Sequence, residues 1–270
     1  IVSGGNYNVV VGDEAGTALT TGDNNVAVGY GALDLEDTGT DSVAVGYNAL
    51  TAQNNDAANH NVAVGSSAGA AVTTGVNNTF IGGLAGDAIT TGIRHTALGQ
   101  GSLSTETTGR AAVAVGFNAL ATLNVGSNLE SYNVAVGSEA GAAMTVGLRN
   151  TIIGGLAGDA LTDADDNIAI GQGALGTDTL GSKSVAVGRA ALATQNFTTA
   201  ADTYNTAVGF QAGTAVTTAV QNTLIGAQVG DALTEGARNT AVGYVALSSD
   251  TRGQYSTAVG YAALFSSNQT

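Results

Sequence analysis

No cysteine occurs in this sequence. That removes a disulfide framework, a thiolate metal site and a thiol nucleophile. Basic residues are scarce, with seven Lys and Arg against 21 Asp and Glu and a formal charge of −14. Nucleic-acid binders need cations to displace counterions from phosphates, so nucleic acid is not an expected partner, and an anionic membrane surface is disfavoured for the same reason. No apolar run approaches the ~20 residues of a membrane helix, so no membrane insertion is expected in this segment. No signal peptide is legible, and the opening at Ile1 reads as a fragment or a processed form of a longer fibrous protein. Proline is also absent, while glycine reaches 40 residues. The acidic excess, with abundant Asn, Thr and Gly, suits an exposed extracellular surface.

What is present is a repeat. Asn25-Val26-Ala27-Val28-Gly29 returns along the whole chain with small changes. The closing glycines are Gly12, Gly29, Gly46, Gly65, Gly82, Gly99, Gly116, Gly137, Gly154, Gly171, Gly188, Gly209, Gly226, Gly243 and Gly260, fifteen copies, most of them 17 residues apart and the rest 19 or 21. Self-similarity at a fixed period signals stacked coils, each burying its neighbour's face. Four positions after these marks, pairs of glycines alternate with pairs of leucines. Glycine coils carry their large aliphatic three positions later, at Leu19, Val72, Ile89, Met144, Leu161, Val216 and Leu233. The longer steps fall once per four coils, so a superrepeat of about 72 residues is expected. Composition does not break from end to end, which predicts one continuous domain over residues 1–270.

Each core motif reads as a strand of about five residues, because β-branched residues favour strands and the following glycine allows a turn with φ > 0. Strand side chains alternate, so Val26 and Val28 share one face and Ala27 takes the other. The reverse face is alanine in most copies and becomes large at Val10, Phe80, Ile152 and Leu224. Both faces are expected to be buried. One closes the coil's own core, and the stacked alanines fit burial against another copy of the chain. Asn8, Asn25, Asn61, Asn78, Asn133, Asn150, Asn167, Asn205, Asn222 and Asn239 precede the strands. These amides either bond along the stack at ~4.8 Å spacing or satisfy local backbone as turn residues.

The pattern Asn-(Val/Thr)-Ala-(Val/Ile)-Gly-x-x-Ala, repeated in register over residues 8–264, resembles the head repeats of trimeric autotransporter adhesins. Ser42-Val43-Ala44-Val45-Gly46 and Ser184-Val185-Ala186-Val187-Gly188 match those heads' Ser-x-Ala-Ile-Gly repeats most closely. Similar Asn-Thr-Ala-Val-Gly repeats occur in phage tail fibres. The resemblance implies a parallel β-roll, three chains around an axis, and attachment to a surface. The period of 17 is longer than the adhesin repeat, and no coiled-coil stalk or membrane anchor is present in the sequence given.

Chemistry finds little footing. His95 occupies an asparagine position and reads as a structural substitute; His60 ends a long loop without an evident partner. No Ser/His/Asp grouping can be placed, so no enzyme is expected. Asp163, Asp165 and Asp166 are a weak calcium candidate, since calcium takes six to eight oxygens; Asp34, Glu36, Asp37 and Asp41 form a similar cluster. The competing reading of both is solvated loop acids. Asp87, Asp159 and Asp231 read as a recurring surface feature. No other cofactor is expected. Aromatic residues follow the marking glycine at Tyr30, Tyr47, Phe117, Phe210, Tyr244 and Tyr261, placed to stack on one another or on a sugar or other partner.

Three longer loops, residues 51–60, 121–132 and 193–204, differ from one another, and variable loops on a rigid scaffold are where binding usually lives. Their contact candidates are Asn54, Asn55, Asp56 and His60, then Asn128, Glu130 and Tyr132, then Phe197, Asp202 and Tyr204. The expected molecule is an all-β parallel β-roll or solenoid, a rod of roughly 70 Å for its fifteen coils. The expected role is a homotrimeric structural and adhesive rod of an extracellular or virion fibre. Its partners would be copies of itself and a host or cell-surface protein or glycan. The rivals are a self-assembling filament, an ice-binding solenoid and, least of all, an enzyme on a β-helix.

Overall fold

The computed structural model describes residues 4–126 and 129–265. The chain is an all-β parallel solenoid of about fifteen coils, and no helix occurs among the described residues. It divides into two compact units, Ile1–Tyr132 and Asn133–Thr270.

The first unit has seven coils, each carrying one strand: β1 (Val9–Val11), β2 (Val26–Val28), β3 (Val43–Val45), β4 (Val62–Val64), β5 (Thr79–Ile81), β6 (Thr96–Leu98) and β7 (Val113–Val115). Each pairs in parallel with the next, in a register that sets alanine over alanine, as in Ala27↔Ala44 and Ala44↔Ala63. The second unit carries β8 (Val134–Val136), β9 (Thr151–Ile153), β10 (Ile168–Ile170), β11 (Gly181–Ser182), β12 (Val185–Val187), β13 (Ala201–Asp202), β14 (Thr206–Val208), β15 (Thr223–Ile225), β16 (Thr240–Val242) and β17 (Thr257–Val259). Eight of these stack as in the first unit. The other two, β11 and β13, form a short parallel pair of their own.

The stacked strands are three residues long, shorter than the expected five, because both ends are taken by corners. The marking glycines have φ between +124° and +142°, where L side chains are rarely found. A Cβ on Gly82 would stand 2.6 Å from the carbonyl carbon of Gly99 in the next coil. Three further positions per coil are left-handed. In the coil of Gly46 they are Asp41, Asn48 and Leu50, with φ of 62°, 51° and 49°.

The face assignment corrects the sequence expectation. The alanines point into the coil's own core and are buried, while the flanking valines, isoleucines, leucine and threonines are half-buried or exposed. No second copy is needed to cover the alanines. The interior beside them is filled from the corners by Leu33, Leu50, Ile89, Leu103, Met144 and Leu161, all fully buried. That leaves a space one methyl deep at the strand. Where the strand centre is large, the corner opposite is glycine. A Cβ on Gly69 would stand 2.8 Å from Phe80, and one on Gly213 would stand 2.7 Å from Leu224. Glycine at the corner thus leaves room for a large strand centre in its own or the adjoining coil, as Gly86 and Gly69 both do for Phe80.

Candidate contact surface

Inside each unit runs a polar column. Asn61 Oδ1 accepts the Asn78 N–H at 2.9 Å, and Asn61 Nδ2 donates to Gly75 O at 2.7 Å. Asn133, Asn150 and Asn167 repeat this in the second unit. Of the two sequence readings, bonding along the stack is the observed one. Each amide closes one donor and one acceptor that burial would otherwise leave unpaired.

A second polar feature overturns a sequence expectation. Glu36, Glu106, Asp178 and Asp250 each stand seven residues after a marking glycine, and all four are fully buried. Glu36 is therefore not a solvated loop acid. Its Oε1 accepts the Gly39 N–H at 2.7 Å, and its Oε2 accepts Gln53 Nε2 at 2.9 Å and Asn59 Nδ2 at 3.0 Å. Asp178 accepts the Gly181 and Phe197 N–H groups and, at 2.5 Å, Gln195 Nε2. Glu106 accepts three N–H groups of its own turn and that of Val125. Gln53, Asn59, Val125, Gln195 and Phe197 all belong to the long loops. Each long loop is therefore clamped by one buried carboxylate of the coil before it. The signal was available in the fixed offset of these acids from the marks.

The loop candidates divide accordingly. Asn54, Asp56 and His60 are exposed, and Asp56 accepts the Thr38 hydroxyl at 2.6 Å. Asn55 is half-buried and donates to Asn59. Asn128 lies outside the described residues. Glu130 is salt-bridged to Arg94 at 2.5 Å, and Tyr132 nearby in the chain is exposed. Phe197 is half-buried, with its N–H on Asp178. Asp202 and Tyr204 are exposed and joined through Lys183, whose Nζ lies 2.5 Å from the Asp202 carboxylate and 5.4 Å from the centre of the Tyr204 ring. That lysine holds the Asp202 carboxyl below the usual carboxylate range.

Asp165 and Asp166 are engaged by Arg149 at 3.4 and 2.7 Å, and Asp165 also accepts the Leu148 N–H. The guanidinium lowers the Asp166 carboxyl. Asp163 is exposed. Among the described residues no group of three or more acidic or histidine side chains converges to hold a metal. Asp87 and Asp159 are part-buried, and desolvation raises both carboxyls.

Two outward features remain. Tyr30 and Tyr47 stack with ring centres 5.5 Å apart and planes 13° from parallel; Tyr244 and Tyr261 lie 5.9 Å apart. Arg189 lies over Phe210. The larger feature is the outer strand face. In each unit its two rows hold only Val, Ile, Leu and Thr, without one charged residue, and Val64, Ile81, Ile153 and Ile225 are about two-fifths exposed, at 37, 41, 38 and 40%. At the corners, the hydroxyls of Thr73, Thr90, Thr162 and Thr234 donate to carbonyls of the next coil. Comparison with protein-family models, with curated proteins and with solved structures finds no match.

Proposed function

We propose that this chain is a structural and adhesive rod segment of an extracellular fibre, in which three copies pack through their outer strand faces and the long loops are displayed for attachment. The observation that carries the reading is the uncharged β-branched face of each unit, in a chain whose net charge is −14. Contiguous exposed apolar patches mark association surfaces, and flat faces repeated coil after coil suit symmetric self-packing. The carboxylate clamps support the display role, since they fix loops of different sequence to a common scaffold. The proposed length module is four coils, supported by the spacing of Glu36, Glu106, Asp178 and Asp250 in the sequence.

Light scattering coupled to size exclusion tests the association. The expected mass is three times the 26.3 kDa of one chain, falling to a single chain in a Val45→Lys, Ile153→Lys double variant. A mass of one chain for the unmodified protein would overturn the trimer. A distribution that grows with concentration would replace it with a self-assembling filament.

A further inference from the structure

One member of the polar column in the first unit can titrate. His95 is 1% exposed and stands where the preceding coil carries Asn78 and the following coil Ala112. Its backbone N–H donates to Asn78 Oδ1 at 2.9 Å, its Nδ1 accepts the Ala112 N–H at 3.2 Å, and its Nε2 lies 2.8 Å from Gly109 O. A backbone N–H can only donate and a carbonyl can only accept. The ring must therefore be neutral, with its hydrogen on Nε2. In this form Nδ1 substitutes for an asparagine Oδ1 and Nε2–H for an Nδ2–H. An asparagine has no second protonation state near neutrality, whereas imidazole does. A proton on Nδ1 would set N–H against the Ala112 N–H inside a buried site, leaving both donors unpaired.

We propose that His95 makes the joints between β5, β6 and β7 an acid-sensitive seam, along which the first unit opens locally while the asparagine joints stay closed. The charged groups around the ring are Arg94 on its own corner, Glu106 beneath Gly109, and Glu130, which is bound to Arg94. Burial is the strongest influence and holds the ring below the usual histidine range; the Gly109 carbonyl, Glu106 and Glu130 pull the other way, and Arg94 adds to the lowering. The folded ring releases its proton more readily than the unfolded one, so the joint is fully stable above the unfolded value of about 6.5. It weakens by up to about tenfold per pH unit below that, until the folded ring itself takes a proton. The seam does not depend on association between chains.

The test is amide hydrogen exchange on the whole chain from about pH 7.5 to 5, spanning the histidine range, corrected for intrinsic rates, in the unmodified protein, His95→Asn and Glu106→Gln. The expected result is protection of the Ala112 amide that falls below about pH 6.5 in the unmodified protein and in Glu106→Gln, and stays level in His95→Asn. Parallel profiles for the unmodified protein and His95→Asn would overturn the proposal, as would a fall abolished by Glu106→Gln. An NMR titration of the His95 ring in the unmodified protein is independent of any variant's folding. A midpoint at or above the ordinary histidine value of about 6.5 would also overturn it.

Discussion

Asp178 offers the sharpest test of the loop clamps. It is fully buried, with the Gly181 N–H at 3.1 Å, the Phe197 N–H at 3.0 Å and Gln195 Nε2 at 2.5 Å. Asp178→Ala strips the acceptor from all three donors, two of them at the loop and one at the turn that carries it. Each orphaned donor costs ~1–3 kcal/mol. The costs do not add fully, so a loss of about 3–5 kcal/mol is expected from the three donors together. Asp178→Asn keeps one acceptor oxygen but turns an amide NH2 toward the Gln195 NH2, at about 1–3 kcal/mol. Adding Gln195→Glu reverses that polarity. The carboxylate introduced at position 195 can accept from the amide introduced at position 178. It can also accept from the Ser184 hydroxyl, now 2.9 Å from Gln195, and from Asn205 Nδ2 at 2.8 Å. The pair should then recover ~1 kcal/mol or more relative to the sum of the singles. Hydrogen exchange at the Gly181 and Phe197 amides is the suitable assay, because repeat arrays open locally and a global melt averages over coils. Asp178 is no clamp if its replacement by alanine leaves the Phe197 amide as protected as before, or if the polarity-reversed pair is no better than either single change.

Two more predictions follow from the same contacts. Gly82→Ala combines a φ of +133° with a Cβ 2.6–3.0 Å from three backbone atoms of the next coil, so a loss above ~4 kcal/mol is expected by exchange at Gly99 and Gln100, and a loss under ~1 kcal/mol would refute the close-stacking account. EDTA should leave the melting temperature unchanged, because Arg149 already occupies Asp165 and Asp166; a rise of more than ~2 °C on adding calcium would show a bound ion instead.

The coil itself was legible because it is a periodic backbone demand. Wherever a marking glycine stands, the structure has a φ that favours glycine, and Leu19, Val72, Ile89, Met144, Leu161, Val216 and Leu233 are all buried as their spacing predicts. The facing of the strand was not legible. Alternation separates Val26 and Val28 from Ala27 but does not say which set faces inward, and hydrophobicity favours the valines. The outcome is set by volume arriving from elsewhere: Leu33 and Leu50 fill the coil from the corner and leave room at the strand for a methyl group. Glu36 and Asp178 escape a reading along the chain for a different reason. Carboxylates are rarely fully buried unless paired, and their partners, Gln53 and Gln195, lie in the next coil, where only the stacking register reveals them. The exposed candidates Asp56, His60, Tyr132, Asp202 and Tyr204 stand at the surface because the loops' inward residues are consumed by the clamps.

The same backbone explains why a defect in one coil should be felt by its neighbours. The coil of Gly188 turns at Lys183, Ala190 and Leu192 with φ of 63°, 55° and 49°. Each such corner costs ~1–2 kcal/mol for a residue with a side chain. Little within a single coil offsets this, since its principal backbone bonds run to the coils on either side, as from Val185 N–H to Asn205 O and from Lys183 N–H to Asp165 O. A lone coil is thus a strained loop with unsatisfied edges, and becomes stable only between two others. The asparagine column, the carboxylate clamps and the close-stacked glycines all act at that one level, from coil to coil. Stability in each unit is therefore a property of joints, and a single weak joint, such as the one built on His95 once the pH falls below about 6.5, sets where that unit opens first.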